Sequence, residues 1–140
     1  HGTSRGLGDV YKRQHRTDCQ YNASSATAVT VSDYAAVTAE SVSQMKAALQ
    51  QQPLAVAIEA EQYVFQAYSS GIFDSSSCGT NLDHAVLLVG YGSENGQEYW
   101  IMKNSWNTTW GESGYMRMAI TGDGAGICGV QLDPEFPTTN

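Results

Sequence analysis

Beyond residue 17 the chain is nearly without positive charge. Only Lys46, Lys103 and Arg117 stand there against thirteen acidic residues, because Arg5, Lys12, Arg13 and Arg16 all lie in the first sixteen positions. Such an acidic surface repels nucleic acid and anionic membranes, so neither is an expected partner. No apolar run approaches the roughly 20 residues that a spanning helix needs. A charged start followed by an apolar segment, the mark of a secretory signal, is also lacking. Cysteine is scarce and odd in number: Cys19, Cys78 and Cys128. In a secreted protein an odd cysteine implies an external partner or a reactive thiol.

What remains is the composition of one globular domain. At 140 residues, 41% hydrophobic and 15% charged, the chain is long enough for a single core. The opening HGTSRGLGDVYKRQ differs from the rest in charge, is Gly-rich and has no helical or strand period. Residues 1–16 therefore read as a non-native or disordered leader, and residues 17–140 as the folded part. Asn22 in NAS and Asn107 in NTT are sequons that fit passage through the secretory pathway.

Along the folded part, QYNASSATAVTVSDYAAVT reads as a loop and a short strand. Val42, Met45 and Leu49 recur at helical spacing in ESVSQMKAALQQQP, which predicts a short amphipathic helix starting at Glu40 or Ser41 and ended by Pro53. LAVAIEA (54–60) is an expected buried strand, and EQYVFQAY (61–68) a helical turn closing near Gly71. AVLLVGY is apolar without alternation, the pattern of a strand covered on both faces. Asn95-Gly96 then marks a tight turn before the returning strand EYWIMKN. GYMRMAI (114–120) supplies a third strand, and GDGAGICGV a Gly-rich turn into Cys128. The sum is an α+β domain in which β dominates.

LDHAVLLVGYG (82–92) places one of only three histidines at the head of the apolar run. A lone histidine beside apolar residues is more often a core residue. The hairpin argues otherwise, since folding it about residues 94–96 puts His84 and Asn104 at corresponding ends of two antiparallel strands. Residues opposite in such a ladder have Cβ atoms roughly 4.5–5.5 Å apart, within a register error of a residue or two. A histidine oriented by a neutral amide suits a cysteine nucleophile, whose resting state is already a thiolate beside an imidazolium.

LDHAVLLVGYG and YWIMKNSWNTTWGESGYMRM together resemble the histidine and asparagine active-site segments of the papain-like cysteine peptidases, the family of papain and cathepsin L. PLAVAIEA, FQAYSSGIF and GICGVQLDPEFP follow in the family's order, so the resemblance spans about residues 18–137. It implies a papain-like fold, of which this chain holds the β-rich, antiparallel right-hand domain with a short amphipathic helix, the N-terminal helical domain being missing. It also implies that His84 is the catalytic histidine, Asn104 its orienting asparagine, and Trp106 the tryptophan that shields their hydrogen bond. Cys78 and Cys128 stand where the family has a disulfide, and Cys19 resembles a half-cystine whose partner lies upstream. Ala57, Leu82, Asp83, Ala85 and Asp133 correspond to the substrate pocket. Peptide or protein substrates and a lysosomal, vacuolar or secreted location follow from the same resemblance; no metal or organic cofactor does.

Two departures qualify it. The family nucleophile sits in a Cys-Gly-Ser-Cys-Trp type motif with the histidine roughly 130–150 residues later, whereas 83 residues precede His84 and the motif is absent. Cys19, in TDCQYN, has the wrong neighbours for that role. The expectation is therefore a fragment of a cysteine endopeptidase, inactive alone, whose nucleophile and missing half lie upstream. The alternative is a non-catalytic homologue with a binding or structural role. The second departure is Asn107, where many members have Gly; Asn tolerates the left-handed backbone that such a turn needs.

Overall fold

Ser41 starts the first helix by capping it. Its Oγ accepts from the Gln44 N–H at 3.3 Å, and Asp123 takes the Val42 N–H at 2.9 Å, so two of the helix's orphan donors are satisfied. The computed structural model, which describes residues 18–26 and 29–139, shows this helix as Val42–Leu49 with Met45 fully buried. The basic opening segment and the residues numbered 27, 28 and 140 fall outside the described residues, so the expected leader does too. A second, one-turn helix, Tyr63–Gln66, buries Phe65.

Among the described residues there are seven strands, in chain order β1 (Val31–Ala36), β2 (Leu54–Ile58), β3 (Ile72–Phe73), β4 (His84–Glu94), β5 (Gln97–Lys103), β6 (Tyr115–Ala119) and β7 (Glu135–Thr139). They form one sheet in the order β1-β7-β2-β4-β5-β6-β3, antiparallel except where β3 runs parallel to β6. This is the expected α+β architecture. Leu54, Val56 and Ile58 of β2, Val86 and Leu88 of β4, Trp100 and Met102 of β5, and Met116 and Met118 of β6 turn one face into the core. Each such side chain contributes about 1.5–3 kcal/mol by leaving water.

Three features differ from the sequence reading. β7 was not among the expected strands; it pairs with β1 along its length despite Pro137 and meets β2 at Ala55↔Glu135. β4 is covered on one face only among the described residues: Ala85 and Val89 are exposed and Leu87 is half-buried. A groove of about 650 Å³ lies on this open side, lined in part by Ala85, Leu87, Lys103 and Tyr115. The β4–β5 hairpin turns at Asn95 and Gly96, both left-handed (φ 52° and 82°), as a two-residue turn of that type requires. Its register is not uniform, however. Leu88 faces Met102 and Gly90 faces Ile101, so Val89 is an extra residue, a β-bulge.

Candidate active site

His84 is the first residue of β4, paired in register with Ile58 of β2. The pairing of β4 with β5 stops at Leu87↔Lys103, and the chain leaves β5 into a loop whose first residue is Asn104. That residue is held by its own N–H, which donates to Gly114 O at 3.1 Å. Its side chain is buried, with Oδ1 2.8 Å from His84 Nε2. Oδ1 also accepts the Ser105 N–H at 2.7 Å. A backbone N–H can only donate, so the atom it meets is the amide oxygen, and the ring nitrogen sharing that oxygen must donate too. Two hydrogen bonds therefore place a proton on Nε2. The other amide atom, Asn104 Nδ2, is buried with no hydrogen-bond acceptor among the described residues.

The indole of Trp106 stacks on the imidazole, with centroids 5.0 Å apart and planes inclined by 27°. Trp106 is in turn held edge-on by Phe65 (5.6 Å) and Trp110 (5.6 Å). Trp110 Nε1 donates to the carbonyls of Phe65 and Gln66, tying the one-turn helix under the aromatic cluster. Between the tryptophans, Asn107 adopts the left-handed backbone (φ 71°), and its Oδ1 accepts the Thr108 N–H at 2.7 Å. The turn thus survives without glycine because Asn offers its own local hydrogen bond.

The residues read as a substrate pocket divide. Ala57 and Ala85 are directly paired across β2 and β4. Continuing the Ala55↔Glu135 register by two residues puts Asp133 across from Ala57. Leu82, 37% exposed, lies over the Gly129 turn, where a Cβ added at Gly129 would meet its Cδ2 at 2.8 Å. Asp83 takes a different part: its Oδ1 accepts the Ala60 N–H at 2.8 Å, and it lines a cleft of about 130 Å³ with Ala60, Glu61, Gln66, His84 and Trp106. Cys78 and Cys128 form a disulfide, and Cys19 is free and exposed.

Sequence reasoning overlooked two carboxylates. The Glu135 carboxyl lies against Asp133, whose side-chain hydrogen bonding and charge push it above the ordinary carboxylate value. Glu59 is buried, and hydrogen bonds from the Gly79 and Asn81 backbone and the Gln62 side chain hold its carboxyl below the ordinary value. The signal for Glu59 was present: an acid closing the apolar strand LAVAIEA must find partners where it is buried.

Compared with known proteins, residues 1–138 match the family model for papain family cysteine protease. Cysteine proteinase RD21A of Arabidopsis thaliana is 48% identical over 123 residues, covering 87% of this chain and 26% of that protein. The structure of the bromelain protease from Ananas comosus superposes with a TM-score of 0.76 at 44% identity, covering 82% of this chain and 54% of that one. Digestive procathepsin L 3 from the larval midgut of Tenebrio molitor gives a TM-score of 0.77 at 40% identity, covering 86% and 39%. The chain thus spans about a quarter of its curated relative's length.

Proposed function

The chain belongs to the papain family of cysteine proteases, and from that premise we propose that it is the base-bearing part of a cysteine endopeptidase. In this reading His84 is the catalytic base, Asn104 orients it, Trp106 shields their bond from water, and an upstream cysteine supplies the nucleophile. The observation that carries the reading is the shared Asn104 Oδ1, which takes the proton-bearing Nε2 of His84 and commits that ring nitrogen.

Nδ1 is then the nitrogen that takes the proton of the upstream thiol, giving a thiolate beside an imidazolium. The sulfur attacks the peptide carbonyl carbon. As the tetrahedral intermediate collapses, the C–N bond breaks and His84 returns its proton from Nδ1 to the leaving amine, which departs and leaves a thioester. His84 next removes a proton from water. The resulting hydroxide attacks the thioester, the acid product leaves, and the proton restores the resting pair. A neutral amide is enough to orient the ring, because in the resting pair the thiolate balances the imidazolium charge. Stacking by Trp106 excludes water from the Asn104 bond and strengthens it.

We place the upstream half of the enzyme at the surface edge that carries His84, beside the cleft lined by Asp83, His84 and Trp106. Peptides then bind between the halves, with Ala57, Leu82, Ala85 and Asp133 toward one pocket and Asp83 beside the smaller cleft. A lysosomal, vacuolar or secreted location accords with this reading; among the described residues no helix is long and apolar enough to cross a membrane.

The test is the complete protein. It should hydrolyse peptides, and both alkylation of one upstream cysteine and His84→Ala should abolish the activity. A residue other than cysteine at the nucleophile position, or activity that survives His84→Ala, would overturn the proposal in favour of a non-catalytic homologue.

A further inference from the structure

We propose that Glu59 is a positioning residue for His84, its carboxylate clamping the loop that leads into β4. The proposal rests on His84 being the catalytic base.

Glu59 directly follows the last residue of β2 and is 4% exposed. Its two oxygens are divided between two loop amides: Oε2 accepts the Gly79 N–H at 2.7 Å and Oε1 the Asn81 N–H at 3.0 Å. Gln62, which precedes the one-turn helix, donates Nε2 to Oε2 at 3.1 Å. The Glu59 N–H is itself fixed by Cys128 O at 2.9 Å. Charge-assisted bonds from backbone donors are about twice as strong as neutral ones, and here they are partly buried.

The clamp matters because His84 stands at a sheet corner. β2 pairs with it through Ile58, but the pairing of β5 begins only at Leu87. Residues 79–83 belong to no strand, so their course depends on side-chain attachments. The Cys78–Cys128 bond holds the entry. Asp83 holds the exit, its N–H donating to Ile58 O and its Oδ1 accepting from Ala60 N–H. Among the described residues, Glu59 accepts the backbone hydrogen bonds of the middle. Gly79 fits this arrangement: a Cβ there would come within 2.9 Å of Glu59 Oε1, although the Gly79 backbone is not left-handed. The glycine is needed for close approach to the carboxylate rather than for its dihedral freedom.

The experiment compares the complete enzyme with Glu59→Ala, Glu59→Gln and Gly79→Ala. Three quantities are read: kcat per titrated active site, KM, and NMR signals of the Gly79 and Asn81 amides and the His84 Nε2–H. Glu59→Ala should lower kcat roughly tenfold through misplacement of the base, leave KM within about twofold because peptide contacts are untouched, and move all three proton signals. Glu59→Gln keeps one acceptor oxygen for two amides, so it should fold and fall between wild type and Glu59→Ala. Gly79→Ala should reproduce the pattern by pushing the carboxylate aside. Unchanged kcat per active site in folded Glu59→Gln and Gly79→Ala, or amide signals indifferent to Glu59, would overturn the clamp. If instead His84→Ala left activity intact, the catalytic assignment would fail, while the amide signals would still report whether Glu59 holds the loop.

Discussion

His84 and Asn104 lie on the same face of the β4–β5 hairpin because Val89 is an extra residue between them and the turn. Near the turn, paired residues follow the register Gly90↔Ile101. Carried through unbroken, that register would set Asn104 opposite Leu87, on the open face. The bulge shifts it to Leu88↔Met102, so Asn104 comes opposite Val86, two residues from His84 and on its side. A one-residue slip flips every side chain of a strand to the other face, and here the slip assembles the site.

Asn104→Ala should therefore impair the base while sparing the fold. Hydrogen bonds to charged groups are worth about 1.5–3 kcal/mol, so kcat of the complete enzyme should fall roughly tenfold to a hundredfold. Steady-state kinetics with an active-site titrant measures it; kcat within twofold of wild type would contradict the orienting role.

Glu59 makes stability depend on pH. Backbone hydrogen bonds depress its folded carboxyl below the ordinary 4.5, so the native state binds that proton more weakly than the unfolded chain does. Its stabilisation is present above 4.5 and is lost as pH falls through the lower folded value. Denaturant titrations of wild type and Glu59→Gln should differ at neutral pH and converge in strong acid. Parallel curves at all pH would refute the linkage.

The Asp133–Glu135 pair predicts pH-dependent selectivity. In the proposed pocket, Asp133, just beyond the Ala55↔Glu135 pair, suits a basic side chain at the second position before the scissile bond, while Ala57 and Ala85 suit Leu or Phe. Because hydrogen bonding to Asp133 and the adjacent charge raise the Glu135 carboxyl above its ordinary value, Glu135 loses its negative charge earlier than an ordinary glutamate as pH falls. The Arg-to-Leu ratio of kcat/KM should drop with acidification, and Asp133→Ala should lower it at neutral pH, by an ion-pair contribution of about 1 kcal/mol at most. A ratio insensitive to both changes would place the aspartate outside the pocket.

The Cys78–Cys128 bridge closes a separation of 50 residues. Replacing both cysteines with serine should cost about 4 kcal/mol on the chain-entropy model. Chemical denaturation of the complete enzyme would register this as a lower midpoint, and an unchanged midpoint would remove the bridge from the account of stability.

Cys19 is exposed and free, and Ala85 and Val89 leave part of the β4 face open. The isolated chain should titrate with one accessible thiol and form dimers that reductant dissolves, with residual self-association through the open face. Cys19→Ser should abolish only the covalent species; persistence of disulfide dimers in that variant would assign the thiol elsewhere.

Local chemistry made much of this legible in the sequence. Ser41 as a helix cap, Asn95-Gly96 as a left-handed turn, the apolar run after His84 and the ordered motifs around Asn104 are signals confined to a few neighbouring residues, whose propensities act before any long-range contact forms. They were enough to identify the α+β class, the family resemblance and the His84–Asn104 pair. Only the tertiary structure decided the rest. The bulge at Val89 sets the face that Asn104 shares, and β7 forms despite Pro137 because β1 and β2 offer it partners. Glu59 finds its donors in Gly79 and Asn81, some twenty residues away. Register, strand pairing and the satisfaction of a buried charge depend on which distant groups meet, and that is settled when the whole sheet closes on its core rather than by any segment alone.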